Sequence, residues 1–120
     1  MVDAVLPLAV KRTSLDGVDV LLVEGEIDIA SAGRLIAVLN QAVVDAVRSV
    51  VVDLSAVAFM DSTGLALLLN AHRRLTRSRR GFAVVCPDGP VRRVFEITDM
   101  VDTLHVCPDR GSATLAAFSV

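Results

Sequence analysis

Apolar residues recur along the chain in two patterns, short continuous runs and longer stretches in which they lie three or four positions apart. The short runs cover residues 4–13, 18–23, 50–54, 82–86 and 104–106. Runs of this length that are rich in valine predict β-strands, and a run without alternation is typical of a strand covered on both faces. The Asp16-Gly17 step between the first two runs is a strong turn signal, so these two strands should form an N-terminal β-hairpin.

The stretches with helical spacing lie between and after these runs. They cover residues 32–47, 88–95 and 111–118. Another stretch, the second in chain order, begins near Ser62 and is closed by Gly81. Ser31 is a candidate N-cap of the first helix, and Pro90 fits the first turn of the third. Strands that alternate with helices predict a single α/β domain over residues 1–120, with its core at about residues 4–118. Its sheet should be mixed and mostly parallel, with four or five strands and helices packed against it.

Composition excludes several functional classes. The chain of 120 residues is 53% hydrophobic, which argues against disorder, and it contains no Trp or Tyr on which single-stranded nucleic acid could stack. Its net charge of −2 offers no general attraction to nucleic acid or to an anionic membrane. Since neither a signal peptide nor a long apolar span is visible, we expect a cytoplasmic protein.

The charges are distributed unevenly along the chain. Residues 1–61 hold nine acidic and four basic residues, whereas residues 62–120 hold five acidic and eight basic residues. The densest basic cluster is Arg73, Arg74, Arg77, Arg79 and Arg80. We interpret it as a solvated helix face, with a site for an acidic partner as the alternative.

Cysteine and histidine residues give weak signals. Cys86 and Cys107 are too few for a disulfide scaffold and lack metal-ligand spacing, so we expect buried thiols, no metal site and no cofactor. A disulfide between Cys86 and Cys107 is the alternative, because both can end neighbouring strands.

His72 lies on the apolar side of its helix and is expected to be a hydrogen-bonded residue at the core edge. Ten residues of helix, about 15 Å, separate it from Ser62, which argues against a general base.

The segment Asp61-Ser62-Thr63-Gly64 carries the strongest functional signal. It opens a helix after the apolar strand 50–54 and a short connection. The Ser62 hydroxyl therefore lies where unpaired backbone N–H groups point outward. Helix capping by Asp61 or Ser62 is the simpler interpretation of the same residues.

Three motifs together resemble the STAS family and, within it, the bacterial anti-sigma factor antagonists. They are Gly25-Glu-Ile-Asp28, Phe59-Met-Asp-Ser-Thr-Gly-Leu65 and Pro90-Val-Arg-Arg-Val-Phe-Glu-Ile97, and the resemblance covers about residues 20–116. It implies a STAS fold and a regulatory binding protein rather than an enzyme. Two positions depart from the family pattern, Ile29 after the first motif and Asp99 in a later turn.

The resemblance also implies a mechanism. Ser62 would be phosphorylated by a partner that is both anti-sigma factor and serine kinase, and a PP2C-type phosphatase would reverse the modification. The unphosphorylated form would bind the kinase and release the sigma factor, which regulates transcription by partner switching. The implied site residues are Ser62, its loop residues Asp61, Thr63 and Gly64, and the partner-facing Gly25, Glu26 and Asp28.

Other functional classes fit less well. A STAS subunit that docks onto a transporter ATPase or a signalling assembly without being phosphorylated is the main alternative, and the intact Asp61-Ser-Thr-Gly64 argues against it. A receiver domain with Asp53 as acceptor lacks the late lysine, because the only lysine is Lys11. A small hydrolase lacks a Gly-x-Ser-x-Gly elbow or a P-loop. The sequence predicts no oligomeric state.

Overall fold

The computed structural model describes residues 8–46 and 48–118, which form a five-stranded β-sheet and four helices. The strands are β1 (Ala9–Leu15), β2 (Val18–Ile27), β3 (Ser49–Met60), β4 (Gly81–Val85) and β5 (Val106–Cys107). The helices are α1 (Ala32–Asp45), α2 (Ser62–Arg77), α3 (Pro90–Ile97) and α4 (Arg110–Phe118). The strands lie side by side in chain order, with β1 antiparallel to β2 and the other neighbours parallel. The predicted α/β fold with a mixed, mostly parallel sheet is confirmed.

The N-terminal hairpin forms where the sequence places it. Asp16 and Gly17 have φ angles of 54° and 82°, and Leu15 pairs with Val18 across the turn. Two consecutive positive φ angles are the geometry that Asp-Gly favours, because its twist matches that of the flanking strands. The first strand extends to Leu15 instead of residue 13, and residues 4–7 lie outside the described part of the chain.

The sheet is covered on both faces, as expected from the continuous apolar run in β3. Val50, Val52 and Leu54 point to one face, where they pack in the larger core with α1, α2 and α3. Val51 points to the other face and packs in a smaller core with Ala113 and Ala117 of α4. The small side chains of α4 allow its backbone to approach the sheet closely.

Strand β3 is longer than the sequence predicts. The apolar run ends at Leu54, but the strand continues to Met60 because the far end of β2 pairs with it, Glu26 with Phe59 and Ile27 with Met60. Two shifts of register in this pairing disturb the alternation of buried and exposed positions that would have marked the strand. The expected connection before α2 is therefore reduced to Asp61 alone.

Several helix and strand ends also differ from their predicted positions. Gly81 does not close α2. The helix ends at Arg77, Arg79 takes the left-handed conformation with φ of 58°, and the Arg80 N–H donates to the Leu75 carbonyl at 2.8 Å. These are the features of a Schellman-type helix end. Gly81 instead begins β4.

Smaller shifts affect α1, α3 and the last strand. Ser31 occupies the N-cap position of α1, but its side chain makes no capping hydrogen bond, and the helix ends at Asp45. Helix α3 starts with Pro90 in its first turn and lies two residues later than predicted. Strand β5 covers Val106–Cys107 instead of 104–106, because His105 adopts a left-handed φ of 51° that ends the preceding turn.

Candidate functional site

Ser62 is the first residue of α2, and its side chain is exposed. Asp61 is the N-cap residue, with Oδ1 accepting a hydrogen bond from the Thr63 N–H at 2.9 Å. The Asp61 N–H donates to the Ile27 carbonyl at 3.1 Å, which fixes the helix start against the end of β2. Within the described residues the Ser62 hydroxyl makes no hydrogen bond, so Asp61 caps the helix and Ser62 is left available to a partner.

Gly64 lies where the first turn of α2 packs tightly against the sheet. A β-carbon at this position would lie 2.5 Å from Met60 Cγ, 2.8 Å from Met60 Sδ and 2.9 Å from Ile27 Cγ2. These distances are well below van der Waals contact, so only glycine fits without a shift of the neighbouring atoms. Gly64 therefore allows the helical turn that carries Ser62 to lie close to β2 and β3.

The segment Gly25 to Asp28 lies beside the start of α2, as the family resemblance implies, since the Ile27 carbonyl accepts from the Asp61 N–H. It forms the end of β2 and the start of the loop to α1, and Gly25 has a φ of 116° at a shift of register. Asp28 Oδ1 accepts from the Ser31 N–H at 2.9 Å, and Ser31 Oγ donates to the Glu26 carbonyl at 2.7 Å. Ser31 thus ties the loop to the strand instead of capping α1.

We name the carboxyl-terminal end of β2 and β3, with the side chains of Glu26, Asp28 and Asp61, the acidic edge. The segments that build it, residues 13–33 and 49–72, contain no lysine or arginine. Ser62 lies at this acidic edge, so a partner that binds here meets a negative surface around a neutral hydroxyl.

Two large apolar side chains at the acidic edge were not identified as site residues from the sequence. Ile29 is 83% exposed in the loop after β2, and Phe59 is 47% exposed in β3, opposite Glu26. Exposed apolar groups of this size are common at protein interfaces. The sequence signal for Ile29 is its departure from the family pattern. Phe59 begins one of the family motifs, but its exposure on the sheet depends on the full length of β3.

Asp53 is buried and part of the framework, which removes it as a phosphoacceptor of the receiver type. It is 4% exposed, and its carboxylate pairs with Arg110 Nε at 2.6 Å and accepts from the Ser55 N–H at 2.9 Å. Burial raises the pKa of Asp53, but the hydrogen bonds from Ser55 and Arg110 outweigh it and lower the pKa below its usual range. The pair joins the start of α4 to the centre of the sheet.

The two cysteines are free thiols on opposite faces of the sheet. Val85 pairs with Cys107, so Cys107 shares the smaller core with Val85, while Cys86 points into the larger core. A disulfide needs side chains that point toward each other, so the disulfide considered for this pair is incompatible with the fold. Burial raises the pKa of Cys86 to about 11, and it also raises the pKa of Cys107. Among the described residues, no group of three or more His, Cys, Asp and Glu could hold a metal ion.

His72 lies at the core edge, but without the expected hydrogen bond at Nδ1. That atom is buried and has no partner within the described part of the chain. The ring lies 6.0 Å from that of Phe82 and 6.3 Å from that of His105, measured between centroids. Burial, His105 and Arg73 lower the pKa of His72.

The basic cluster of α2 is divided between structural and exposed residues. Arg80 Nη1 donates to the carbonyls of Val43 and Ala46 at 2.6 and 2.8 Å, and Arg74 donates to Asn40. Arg73 and Arg77 are exposed on the outer side of α2. Only part of the cluster is therefore the solvated face that the sequence predicts.

Comparison with known proteins identifies the family. The STAS domain family model matches residues 9–113, and the chain belongs to this family. It is 31% identical over 99 residues to the anti-sigma-B factor antagonist of Staphylococcus aureus, covering 82% of this chain and 92% of that protein. It is also 33% identical over 91 residues to the anti-sigma-F factor antagonist RsfB of Mycobacterium tuberculosis, covering 76% of this chain and 74% of RsfB.

A solved structure gives the same result. The crystal structure of an anti-sigma factor antagonist from Mycobacterium paratuberculosis is 32% identical, with a TM-score of 0.85, and the match covers 92% of this chain and 93% of that one. In the described residues of our protein, no helix has the length and apolar character needed to cross a membrane.

Proposed function

We propose that this protein is an anti-sigma factor antagonist that is controlled by phosphorylation of Ser62. Its unphosphorylated form binds an anti-sigma factor serine kinase in the cytoplasm and thereby releases a sigma factor. Phosphorylation by that kinase ends the binding, and a PP2C-type phosphatase restores it. The protein is a binding partner and a kinase substrate in this scheme, and it carries out no catalysis itself.

One observation carries the proposal: an exposed serine hydroxyl without a hydrogen-bond partner among the described residues, next to Asp61 at the acidic edge. The similarity to antagonists over more than four-fifths of the chain supports the same function. The intact Asp61-Ser-Thr-Gly64 segment supports Ser62 as the acceptor.

The fold should tolerate a phosphoryl group at this position. The group adds about −1.5 to −2 charges, and the first turn of a helix offers unpaired N–H groups and a partial positive charge. Because the Ser62 hydroxyl makes no hydrogen bond within the described residues, its modification breaks none of the contacts that hold α2.

A bound partner should not tolerate it. A surface that packs on Ile29, Phe59 and the neutral Ser62 hydroxyl would meet a dianion beside Asp28 and Asp61. Unfavourable placement of like charges in an interface costs several kcal/mol, and each 1.4 kcal/mol lowers affinity about tenfold. One modification can therefore change the partner while the fold stays intact.

The test is phosphorylation mapped to single residues. Wild type and Ser62→Ala would be incubated with candidate kinases and Mg-ATP, analysed by mass spectrometry and used to capture the kinase. Thr63→Ala is the matched control, since it removes the neighbouring hydroxyl and leaves Ser62 in place.

We expect a single phosphoryl group on Ser62 in wild type and Thr63→Ala, and none in Ser62→Ala. Phosphorylated protein should capture less kinase than unphosphorylated protein. Stable capture of a partner without phosphate on Ser62, in the presence of an active kinase, would contradict the proposal and favour a docking subunit that is not phosphorylated.

A further inference from the structure

The outer side of α2 presents one continuous stripe of exposed residues. Ser62, Ala66, Asn70, Arg73 and Arg77 are all exposed, and at 100° per residue they fall within an 80° sector of the helix. The stripe starts at the candidate phosphoacceptor and ends about 22 Å away at the basic end of the helix. We name these five residues the α2 stripe.

The α2 stripe is complementary to itself when two copies of the helix run antiparallel. When the twofold axis passes between residues 69 and 70 of each helix, Arg73 of one copy lies opposite Ala66 of the other, and Arg77 lies opposite Ser62. The side chains at positions 62 and 66 are small, so two helices can approach to the usual 8–10 Å and leave room for the arginines. Each residue pair occurs twice, as a twofold symmetric contact requires.

The charges of the α2 stripe lack partners within the described part of the molecule. Residues 62–87 contain five arginines and no Asp or Glu. Arg74 and Arg80 are held by contacts to α1, whereas Arg73 and Arg77 form no ion pair or hydrogen bond within the described residues. Arg73 and Arg77 lie one helical turn apart, a spacing that lets both guanidinium groups reach one phosphate.

We propose that phosphorylation of Ser62 causes the protein to pair with a second copy through the α2 stripe, with Arg73 and Arg77 of each copy binding the Ser62 phosphate of the other. The second copy supplies the charges that the phosphoserine lacks in its own molecule. The proposal rests on the proposed function, in that Ser62 is the residue modified. It adds that the phosphorylated form is a dimer that covers its own acceptor site.

The phosphate is required for this pairing. Without it, Arg73 and Arg77 face the amino-terminal end of a helix, whose partial positive charge repels them, and Asp61 offsets this only in part. A contact made by one helix from each copy is also smaller than the ~1,200 Å² of a stable interface. With phosphate on Ser62, the repulsion at both ends of the helix pair becomes attraction, because arginine forms bidentate hydrogen bonds with phosphate.

Sedimentation velocity of full-length protein with phosphoserine incorporated at position 62 during translation tests the proposal. Because no kinase is used, the result does not depend on whether a kinase phosphorylates Ser62. The dimer can therefore be refuted while the proposed function still holds. We expect the phosphorylated protein to form a dimer at low salt, high salt to weaken it, and the unphosphorylated protein to stay monomeric.

Charge reversals locate the contact. The phosphorylated double variant Arg73→Glu/Arg77→Glu should be monomeric, whereas Arg34→Glu/Arg93→Glu, with the same change of charge at exposed positions on α1 and α3, should remain dimeric. Circular dichroism of each variant checks that it is folded. Equal loss of the dimer in both double variants, or a monomeric phosphorylated wild type at every concentration, would overturn the proposal.

A mixing experiment tests the antiparallel arrangement. Phosphorylated Arg73→Glu/Arg77→Glu, monomeric alone, should pair with unphosphorylated wild type, because its phosphate can still reach the two arginines of the wild-type copy. The affinity should be at least about tenfold below that of the phosphorylated wild-type dimer, since only one of the two phosphate contacts forms. Absence of this mixed dimer would show that the helices do not pair in this way.

Discussion

Substitution of Gly64 by alanine tests how the Ser62 turn is held. In an open position of a helix interior, replacement of Gly by Ala stabilises the helix by up to about 1 kcal/mol. At Gly64 the new methyl group would lie 2.5 Å from Met60 Cγ and 2.9 Å from Ile27 Cγ2. Both neighbours belong to buried side chains of the sheet, which have little room to move.

The two contributions have opposite signs, and the steric one should be larger. Inserting a methyl group into a packed core costs about 1–3 kcal/mol. Because three side-chain atoms would lie within 3 Å of the new methyl group, we expect a steric cost in the upper part of this range, about 2–3 kcal/mol, and hence a net loss of about 1–2 kcal/mol in the free energy of unfolding after the gain in helix propensity. For a domain of this size the melting temperature should fall by about 4 °C for each kcal/mol.

Gly33→Ala is the matched control. Gly33 also lies in the first turn of a helix, and nothing lies within 4 Å of the place that its new methyl group would take. Alanine should therefore leave stability unchanged or raise it by up to about 1 kcal/mol. Equilibrium urea unfolding of both variants measures the difference. A Gly64→Ala protein as stable as wild type would refute the role assigned to Gly64.

Three further predictions concern buried groups. Asp53→Asn should lower the free energy of unfolding at pH 7 by about 1–3 kcal/mol, less than for a fully buried pair because the Arg110 side chain is 52% exposed. The folded pKa of Asp53 lies below its unfolded value near 3.9, so the ion pair with Arg110 stabilises the fold above about pH 4. Wild type loses this stabilisation as the pH falls below about 4, whereas Asp53→Asn has none to lose. Because folding lowers the pKa of His72, wild type should lose stability as the pH falls below about 6.5. Between pH 7 and pH 5.5 the free energy of unfolding, measured in urea titrations, should fall less for His72→Gln than for wild type. After mild oxidation, mass analysis of the folded protein should show no intramolecular bond between Cys86 and Cys107, and such a bond would contradict the assigned faces.

Local signals predicted much of the fold. The Asp16-Gly17 turn specifies the hairpin with two residues, because both positive φ angles are required at that point of the chain. The start of α2 was likewise predicted within a residue, since Asp61 is a strong capping residue directly before the periodic apolar positions. The proximity of Ser62 to the Gly25–Asp28 segment was implied by the family resemblance, and the structure brings both to one edge of the sheet.

Features that depend on distant pairing were not predictable. The second half of β3 is a strand only because β2 pairs with it, and its own pattern does not alternate. The contact of Asp53 with Arg110 joins residues 57 positions apart. The position of Cys107 relative to Cys86 depends on the register between β4 and β5, where a shift of one residue would place both thiols on the same face of the sheet.

The affinity of the anti-sigma factor kinase for the protein with and without phosphoserine at position 62 tests the central claim most directly. Protein with phosphoserine at position 14 is the control, since Ser14 is exposed at the opposite end of the hairpin. We predict that phosphate at position 62 weakens binding at least about 100-fold, corresponding to about 2.8 kcal/mol, and that phosphate at position 14 has little effect. Equal affinities of the unphosphorylated protein and the protein with phosphoserine at position 62 would contradict a switch at this residue.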